Sequence, residues 1–99
     1  MFGLYAAVTR QTLTGEPAGG WFPNERISIE DAIRAYTLNT AYANFEEKTK
    51  GSIEVGKFAD LTVLSQNLLK VEPKAIPNTV VLLTIVDGKI VYQKHVVLM

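Results

Sequence analysis

Hydrophobic residues in the first half of the chain recur at helical spacing. Residues 2–11 carry apolar side chains on one side, which predicts a short helix with one apolar face. Ser28, followed three positions later by Asp31, is the pattern of a helix N-cap with an approximate capping box. Apolar residues then repeat at i, i+3, i+4 and i+7, which predicts an amphipathic helix (Ile29, Ala32, Ile33 and Tyr36). We expect Asn39 and Thr40 to break it, with a further turn or two beyond them.

The second half of the chain has the pattern of β-strands. Residues 61–64 form a short strand candidate, and residues 79–86 are so uniformly apolar that we expect both faces of that strand to be buried. Asp87-Gly88 favours a type I′ turn, with residues 89–92 returning as the partner strand. Residues 71–78, with two prolines, are a connection with room for one helical turn. Helices followed by strands predict an α+β fold without internal repeats.

A loop rich in glycine and proline, residues 12–26, contains two large aromatic side chains, Trp21 and Phe22. Large aromatics in such a loop pin it to a neighbouring surface or, less commonly, line a ligand pocket. A small ligand-binding domain would use these two residues together with Tyr36. The sequence leaves both interpretations open.

Composition narrows the classes of function. The chain has 99 residues, of which 47% are hydrophobic, and ten basic residues balance ten acidic ones. A neutral chain without a basic patch has no field to attract nucleic acid or an anionic membrane, so we expect neither as a partner. The longest apolar run, within residues 80–86, is too short to span a bilayer as a helix. The N-terminus lacks the basic region of a signal peptide.

The absence of cysteine excludes disulfides, thiolate nucleophiles and cysteine-ligated zinc. It fits a reducing cytoplasm, where we expect the protein to be located. The single histidine, His95, lies in a final strand predicted over residues 93–98, and a metal site would need several ligands that converge on one point. The serines (Ser28, Ser52 and Ser65) lie outside any Gly-x-Ser-x-Gly elbow. The charged run of residues 46–50 is interpreted as a solvated helix end.

The run of residues 51–64, called the signature run below, is the most distinctive segment of the chain. Its Gly51-x4-Gly56-Lys57 pattern resembles the front of a phosphate loop, but Phe58 stands where Ser or Thr is needed and no strand precedes it. Gly51 is expected just after a helix, at a position with positive φ. Ile53 and Val55 are expected to anchor the run. We expect Asp60 to accept hydrogen bonds from loop N–H groups and to fix the strand that follows, with a functional role as the weaker alternative.

The signature run resembles the C-terminal signature of the amidohydrolase superfamily. In that family a glycine, an apolar-acidic stretch, Gly-Lys and then Ala-Asp lead into a strand of the small β-sandwich that flanks the catalytic barrel. The matching positions form a structural signature (Gly51, Gly56, Lys57, Ala59 and Asp60). Residues 17–21, 27–36, 39–47 and 84–91 look like the branch that includes N-substituted formamide deformylases.

The resemblance implies a division of the chain into two parts. Residues 1–50 would be the last helices of a (β/α)8 barrel, and residues 51–99 the C-terminal part of the composite β-sandwich. The metal ligands of the family lie on the barrel and have no counterpart here, so we assign no catalytic, cofactor-binding or metal-binding residue. A divalent, zinc-like metal is expected only in a full-length relative. The family reaction is hydrolysis of a C–N bond in an amide-like substrate, and we expect the isolated chain to be inactive.

The resemblance also implies a partner. In the family, strands from the N-terminal end of the chain complete the sandwich, and here the sequence is expected to start just after the barrel's last metal-binding aspartate. Residues 79–86 would then present an apolar face and an open edge. We expect a homo-oligomer or association with a complementing barrel segment. The alternative is a non-catalytic, self-associating module from a truncated or split gene.

Overall fold

The computed structural model describes residues 1–94, which form a small α+β structure and confirm the predicted fold class. It contains three α-helices and one antiparallel sheet of three strands. The helices are α1 (Phe2–Thr9), α2 (Ile29–Tyr36) and α3 (Leu38–Ala43), and the strands are β1 (Leu61–Leu64), β2 (Val81–Val86) and β3 (Lys89–Gln93). Two short 3-10 helices lie in the loops, Pro23–Glu25 and Pro73–Asn78. His95 and most of the final strand predicted over 93–98 lie outside the described residues.

The chain divides into two compact units that each combine distant segments. The first contains Met1–Tyr36 and Gln66–Thr79, and the second contains Thr37–Ser65 and residues 80–94. None of the helices in the described part of the chain has the length and apolarity needed to cross a membrane.

The first unit has a small hydrophobic core in which α1 packs against α2 and against the second 3-10 helix. Its buried hydrophobic side chains come from all three elements and from the loop before the 3-10 helix (Leu4, Tyr5, Ala32, Leu68 and Ile76). The Tyr5 hydroxyl donates to the carbonyl of Thr12 (2.8 Å), so this polar tip is satisfied. The buried Thr79 hydroxyl accepts from Gln66 Nε2 (2.7 Å). The connection predicted to hold one helical turn therefore supplies part of the core.

Helix α1 is shorter than predicted because it ends at Thr9 rather than at residue 11. Arg10 adopts a left-handed conformation (φ 58°), and its N–H still donates to Ala6 O (2.8 Å). The Arg10 carbonyl then accepts from Trp21 N–H (2.8 Å), which turns the chain into the loop. Phe2, expected on the buried face, is exposed.

Helix α2 begins as predicted, because the Ser28 hydroxyl accepts the N–H of Asp31 (3.0 Å). The Asp31 carboxylate accepts from Arg34 Nη1 (2.9 Å) one turn later. The predicted break at Asn39 and Thr40 is wrong, since both residues lie inside α3. The interruption is at Thr37 (φ −119°, ψ −88°). Intrinsic helix preferences of Asn and Thr are worth less than about 1 kcal/mol per residue, which is too little to end a helix on their own.

The sheet of the second unit has β2 at its centre, with β1 and β3 antiparallel on either side. Leu61 pairs with Ile85, which pairs with Ile90, and Val63 pairs with Leu83. Paired residues project to the same side of a sheet. We call this set the apolar sheet face (Leu61, Val63, Leu83, Ile85 and Ile90). A row of Thr62, Thr84 and Tyr92 lies on the opposite side.

The hairpin prediction is confirmed, and the burial prediction for β2 is wrong. Asp87 and Gly88 both have positive φ (49° and 76°), as a type I′ turn requires. The strand itself starts at Val81, and its residues are half-buried, with Val86 exposed at its end. The uniformly apolar sequence therefore predicted the strand correctly. It did not predict the burial of the strand, because the described sheet is a single layer.

Candidate functional site in the signature run

Asp60 stands at the entry to β1 and binds the hairpin turn. Its Oδ1 accepts a hydrogen bond from the backbone N–H of Asp87 (2.8 Å), and Gly88 N–H donates to the carbonyl of Ala59 (3.0 Å). These two bonds hold the start of β1 against the turn between β2 and β3. The Asp60 carboxylate therefore organises the backbone around it. Its Oδ1 is occupied by a hydrogen bond from within the fold.

Three side chains of the signature run form a polar cluster (Ser52, Glu54 and Lys57). Lys57 Nζ donates to Ser52 Oγ (2.7 Å) and lies 3.0 Å from Glu54 Oε2, while Ser52 Oγ donates to the same carboxylate oxygen (3.0 Å). The Lys57 side chain is only 9% exposed, whereas that of Glu54 is 65% exposed. Hydrogen bonds from Lys57 and Ser52, reinforced by the Lys57 charge, lower the pKa of Glu54 below its ordinary value.

The polar cluster was not among the sequence predictions, although Glu54 and Lys57 stand at the i, i+3 spacing of a local ion pair. What joins them is a β-turn closed by Lys57 N–H donating to Glu54 O (3.1 Å). Gly56 lies at the third position of this turn with φ 93°, a conformation that favours glycine. Phe58 N–H then donates to Thr49 O (2.8 Å), which ties the end of the turn to the preceding segment.

Gly51 has the predicted positive φ but not the predicted position. Helix α3 ends at Ala43, and Gly51 instead follows a single turn in which Lys50 N–H donates to Glu46 O (3.1 Å). Its φ is 99°, and a Cβ at this position would lie 2.8 Å from Ala41 Cβ and 3.1 Å from Leu38 Cα. Glycine is therefore required twice here, by the backbone conformation and by the close approach to α3.

Ile53 and Val55 do not anchor the signature run, contrary to expectation. Their exposed fractions are 87% and 108%, so both side chains project fully into solvent. The Lys57 side chain, by contrast, is only 9% exposed. Two exposed apolar side chains next to a largely enclosed charged one reverse the usual distribution, which indicates a contact surface rather than a core.

The charged run of residues 46–50 was predicted to be a solvated helix end, but two of its side chains form an ion pair. Lys50 pairs with Glu46, and the hydrogen bond that Lys50 donates to the Glu46 carboxylate, together with the charge of that carboxylate, raises the pKa of Lys50. Glu47 has one buried carboxylate oxygen, Oε2, without a hydrogen-bond partner among the described residues.

The aromatic loop of the first unit is organised by Arg10. The Arg10 guanidinium lies 5.3 Å from the centre of the Trp21 ring, and its Nε donates to Trp21 O (2.8 Å). Phe22 packs edge-on against Trp21, with ring centres 4.6 Å apart. Trp21 and Arg10 line an open cavity of about 420 Å³, in which neither Phe22 nor Tyr36 takes part. The Tyr36 hydroxyl lies against Gly3 instead, so the structure does not join the three aromatics predicted for a ligand site.

A metal centre needs several donor groups that converge on one point. Across residues 1–94, His, Cys, Asp and Glu side chains form no group of three or more that could hold a metal ion. The donor set in this part of the chain therefore does not fit the metal that the resemblance attributes to full-length relatives. His95 lies outside the described residues.

Comparison with known proteins indicates the same family as the signature run. The profile of the amidohydrolase family matches residues 1–92. The chain is 35% identical over 91 residues to the N-substituted formamide deformylase of Arthrobacter pascens, covering 92% of this chain and 16% of that protein. It is 30% identical over 94 residues to the putative amidohydrolase YtcJ of Bacillus subtilis, covering 95% of this chain and 18% of that protein.

A solved structure supports the same relationship. The crystal structure of an amidohydrolase from Thermotoga maritima superposes with a TM-score of 0.60 at 32% identity, over 73% of this chain and 17% of that one. The chain thus spans less than a fifth of the length of these relatives. Because the family profile covers nearly the whole sequence, including every residue of the signature run, the chain belongs to the amidohydrolase family.

Proposed function

We propose that this chain is the C-terminal portion of a metal-dependent amidohydrolase that hydrolyses C–N bonds in amide-like, non-peptide substrates. Residues 1–50 would end the catalytic barrel, and residues 51–99 would form the C-terminal part of the composite β-sandwich. The family match over residues 1–92 supports this assignment, as does the small share of each relative that the chain covers. The name of the Arthrobacter relative, N-substituted formamide deformylase, favours an amide-like substrate.

The role proposed for this portion is structural. Since the donor groups of residues 1–94 do not fit a metal, we assign no catalytic step to them, and the metal would be held by the rest of a full-length protein. The isolated chain is then inactive. Its contribution is to pack against the remainder of the enzyme, in a reducing compartment such as the cytoplasm that suits a chain without cysteine.

The observation that carries this role is the burial pattern of the second unit. Among its described residues, Ala41 is the one hydrophobic residue that is buried. Val63 and Ile90 of the apolar sheet face are exposed, as are Ile53 and Val55 of the signature run. An exposed apolar sheet face is covered by a second layer, about 10 Å away in a β-sandwich. We propose that this layer comes from a complementing segment of an amidohydrolase.

The proposal is tested by comparing the 99-residue chain with the natural gene product. The mass and metal content of the natural product are measured, and both proteins are assayed with an N-substituted formamide in the presence and absence of Zn²⁺. We expect a longer natural product that contains a divalent metal and hydrolyses the amide, and no hydrolysis by the short chain. Hydrolysis by the short chain that a chelator abolishes would overturn the structural role.

A second candidate is a non-catalytic module that associates with itself. The observation in its favour is that β1 and β3 are the outer strands of the described sheet, and outer strands offer unpaired N–H and C=O groups to another chain. A natural product of this length without metal would favour the module. In sedimentation equilibrium the module is expected to form a homo-oligomer, and a well-folded monomer at micromolar concentration would contradict it.

A further inference from the structure

In the segment from Ser52 to Lys57, one charged side chain is enclosed while two apolar side chains are exposed. The Lys57 side chain is 9% exposed, although an ammonium group is among the most costly groups to remove from water. Ile53 and Val55 have apolar side chains, whose removal from water is favourable, yet both are exposed. Such an arrangement persists only if the charge of this half-buried residue is well compensated.

The compensation is local. Lys57 Nζ contacts Ser52 Oγ (2.7 Å) and Glu54 Oε2 (3.0 Å), and the Ser52 hydroxyl donates to that same oxygen (3.0 Å). A hydroxyl can accept one hydrogen bond while it donates another, so the three groups close a ring in which every contact is favourable. The ring has no net charge, because one ammonium faces one carboxylate.

The two charges differ in their access to solvent. Glu54 is 65% exposed and lies open to protons and counter-ions, whereas Lys57 is enclosed. In the described part of the chain, the charged or hydroxyl groups that contact the Glu54 carboxylate are those of Lys57 and Ser52. The state of the exposed carboxylate therefore decides whether the enclosed ammonium has a counter-charge.

We propose that Ser52, Glu54 and Lys57 act as a clamp that fixes the turn of the signature run, with the negative charge of Glu54 keeping Lys57 enclosed and Ile53 and Val55 directed outward. The clamp is a property of this segment itself and goes beyond the proposed function. The role of Lys57 is to hold the turn closed through its contacts with Ser52 and Glu54.

The effect of pH on the clamp follows from the direction in which the pKa of Glu54 is shifted. The folded-state pKa of Glu54 lies below its ordinary value, so the stabilisation is fully present above that ordinary value. It is lost as the pH falls through the lowered pKa, when the protonated carboxyl no longer balances Lys57. The clamp is accordingly closed at neutral pH.

The first experiment measures the rate at which an amine-reactive ester acetylates each lysine of the full chain, by mass spectrometry at pH 7.5. In the unmodified chain Lys57 should react at least about tenfold more slowly than Lys74, which is 84% exposed. Glu54→Gln should raise the Lys57 rate about tenfold and leave Lys74 unchanged. Glu72→Gln, which removes the exposed partner of Lys74 at 3.6 Å, is the matched control and should leave Lys57 unchanged. A Lys57 rate that Glu54→Gln does not alter would overturn the clamp.

The second experiment holds even if Glu54→Gln fails to fold. The Glu54 carboxyl is titrated by NMR in the unmodified chain and in Lys57→Met, where an unbranched apolar side chain replaces the enclosed ammonium. We expect a lowered pKa of Glu54 in the unmodified chain, a rise towards the ordinary value in Lys57→Met, and a smaller rise in Ser52→Ala. An ordinary pKa of Glu54 in the folded, unmodified chain overturns the proposal without any variant.

Discussion

The Asp60 carboxylate accepts a hydrogen bond from the backbone N–H of Asp87, 27 positions further along the chain. Together with the bond from Gly88 N–H to Ala59 O, it joins the entry of β1 to the turn between β2 and β3. Since β1 and β3 do not pair with each other, this contact links the two outer strands through the turn. It gives a physical reason for an Ala-Asp pair at this point of the signature run.

Asp60→Ala is expected to lower the free energy of unfolding by about 1 kcal/mol, because it removes the acceptor for the Asp87 N–H at a solvent-exposed site. Urea denaturation followed by circular dichroism measures the change. Asp60→Asn is the matched control, since its amide oxygen can still accept the bond, and it should lose less than half as much. Equal losses in the two variants would show that the charge rather than the hydrogen bond matters.

Elements governed by local chemistry were predictable from the sequence. The Ser28 cap and the Asp87-Gly88 turn each depend on residues within a few positions of one another, and each lies where predicted. The Arg10 conformation that shortens α1 depends on a bond to Trp21, eleven positions away. A periodicity of apolar residues carries no information about such a contact.

Gly51→Ala should be strongly destabilising, because the added Cβ meets Ala41 Cβ at 2.8 Å and the backbone has φ 99°. We expect a loss of about 2–4 kcal/mol, of which about 1 kcal/mol reflects the left-handed conformation alone. Gly56→Ala is the matched control, since Gly56 has a similar φ of 93° with open space around it, and should lose about 1 kcal/mol. Thermal unfolding of both variants checks the difference, and equal losses would refute the steric contribution.

Ser28→Ala is expected to destabilise the start of α2 by about 1 kcal/mol, because the Asp31 N–H loses its acceptor. The fall should be visible as reduced protection of the Asp31 amide in hydrogen exchange. Ser28→Asp supplies another oxygen acceptor and should restore protection. If Ser28→Ala and Ser28→Asp exchange equally fast, the cap does not stabilise this helix.

Arg10→Ala is expected to release the Trp21 ring, since it removes both the cation above the ring and the bond from Nε to Trp21 O. Trp21 is the only tryptophan of the sequence, so its fluorescence reports this site alone. We expect red-shifted emission, lower anisotropy and a stability loss of about 0.5–1 kcal/mol. Arg34→Ala, which breaks only the pair with Asp31, is the control and should leave the emission unchanged.

The arrangement of the signature run was less predictable than its identity. Ile53 and Val55 were expected to be anchors because apolar side chains are usually buried, yet the enclosed side chain is that of Lys57. Burial depends on which surface the rest of a protein provides, and the sequence of this segment does not contain that surface. The same reason explains β2, whose apolar composition was right for a strand and misleading about its burial.

The apolar sheet face offers the most direct test of association. Ile90→Lys places a charge on this face at an exposed position of an outer strand, so it should weaken any assembly that uses the face. We expect at least about a tenfold rise in the dissociation constant in sedimentation equilibrium, because a desolvated charge at an interface is strongly unfavourable. Thr62→Lys adds the same charge on the opposite side of the sheet and should leave the constant nearly unchanged. Equal weakening by both variants would mean that association does not use the apolar sheet face, and would leave the strand edges as the contact.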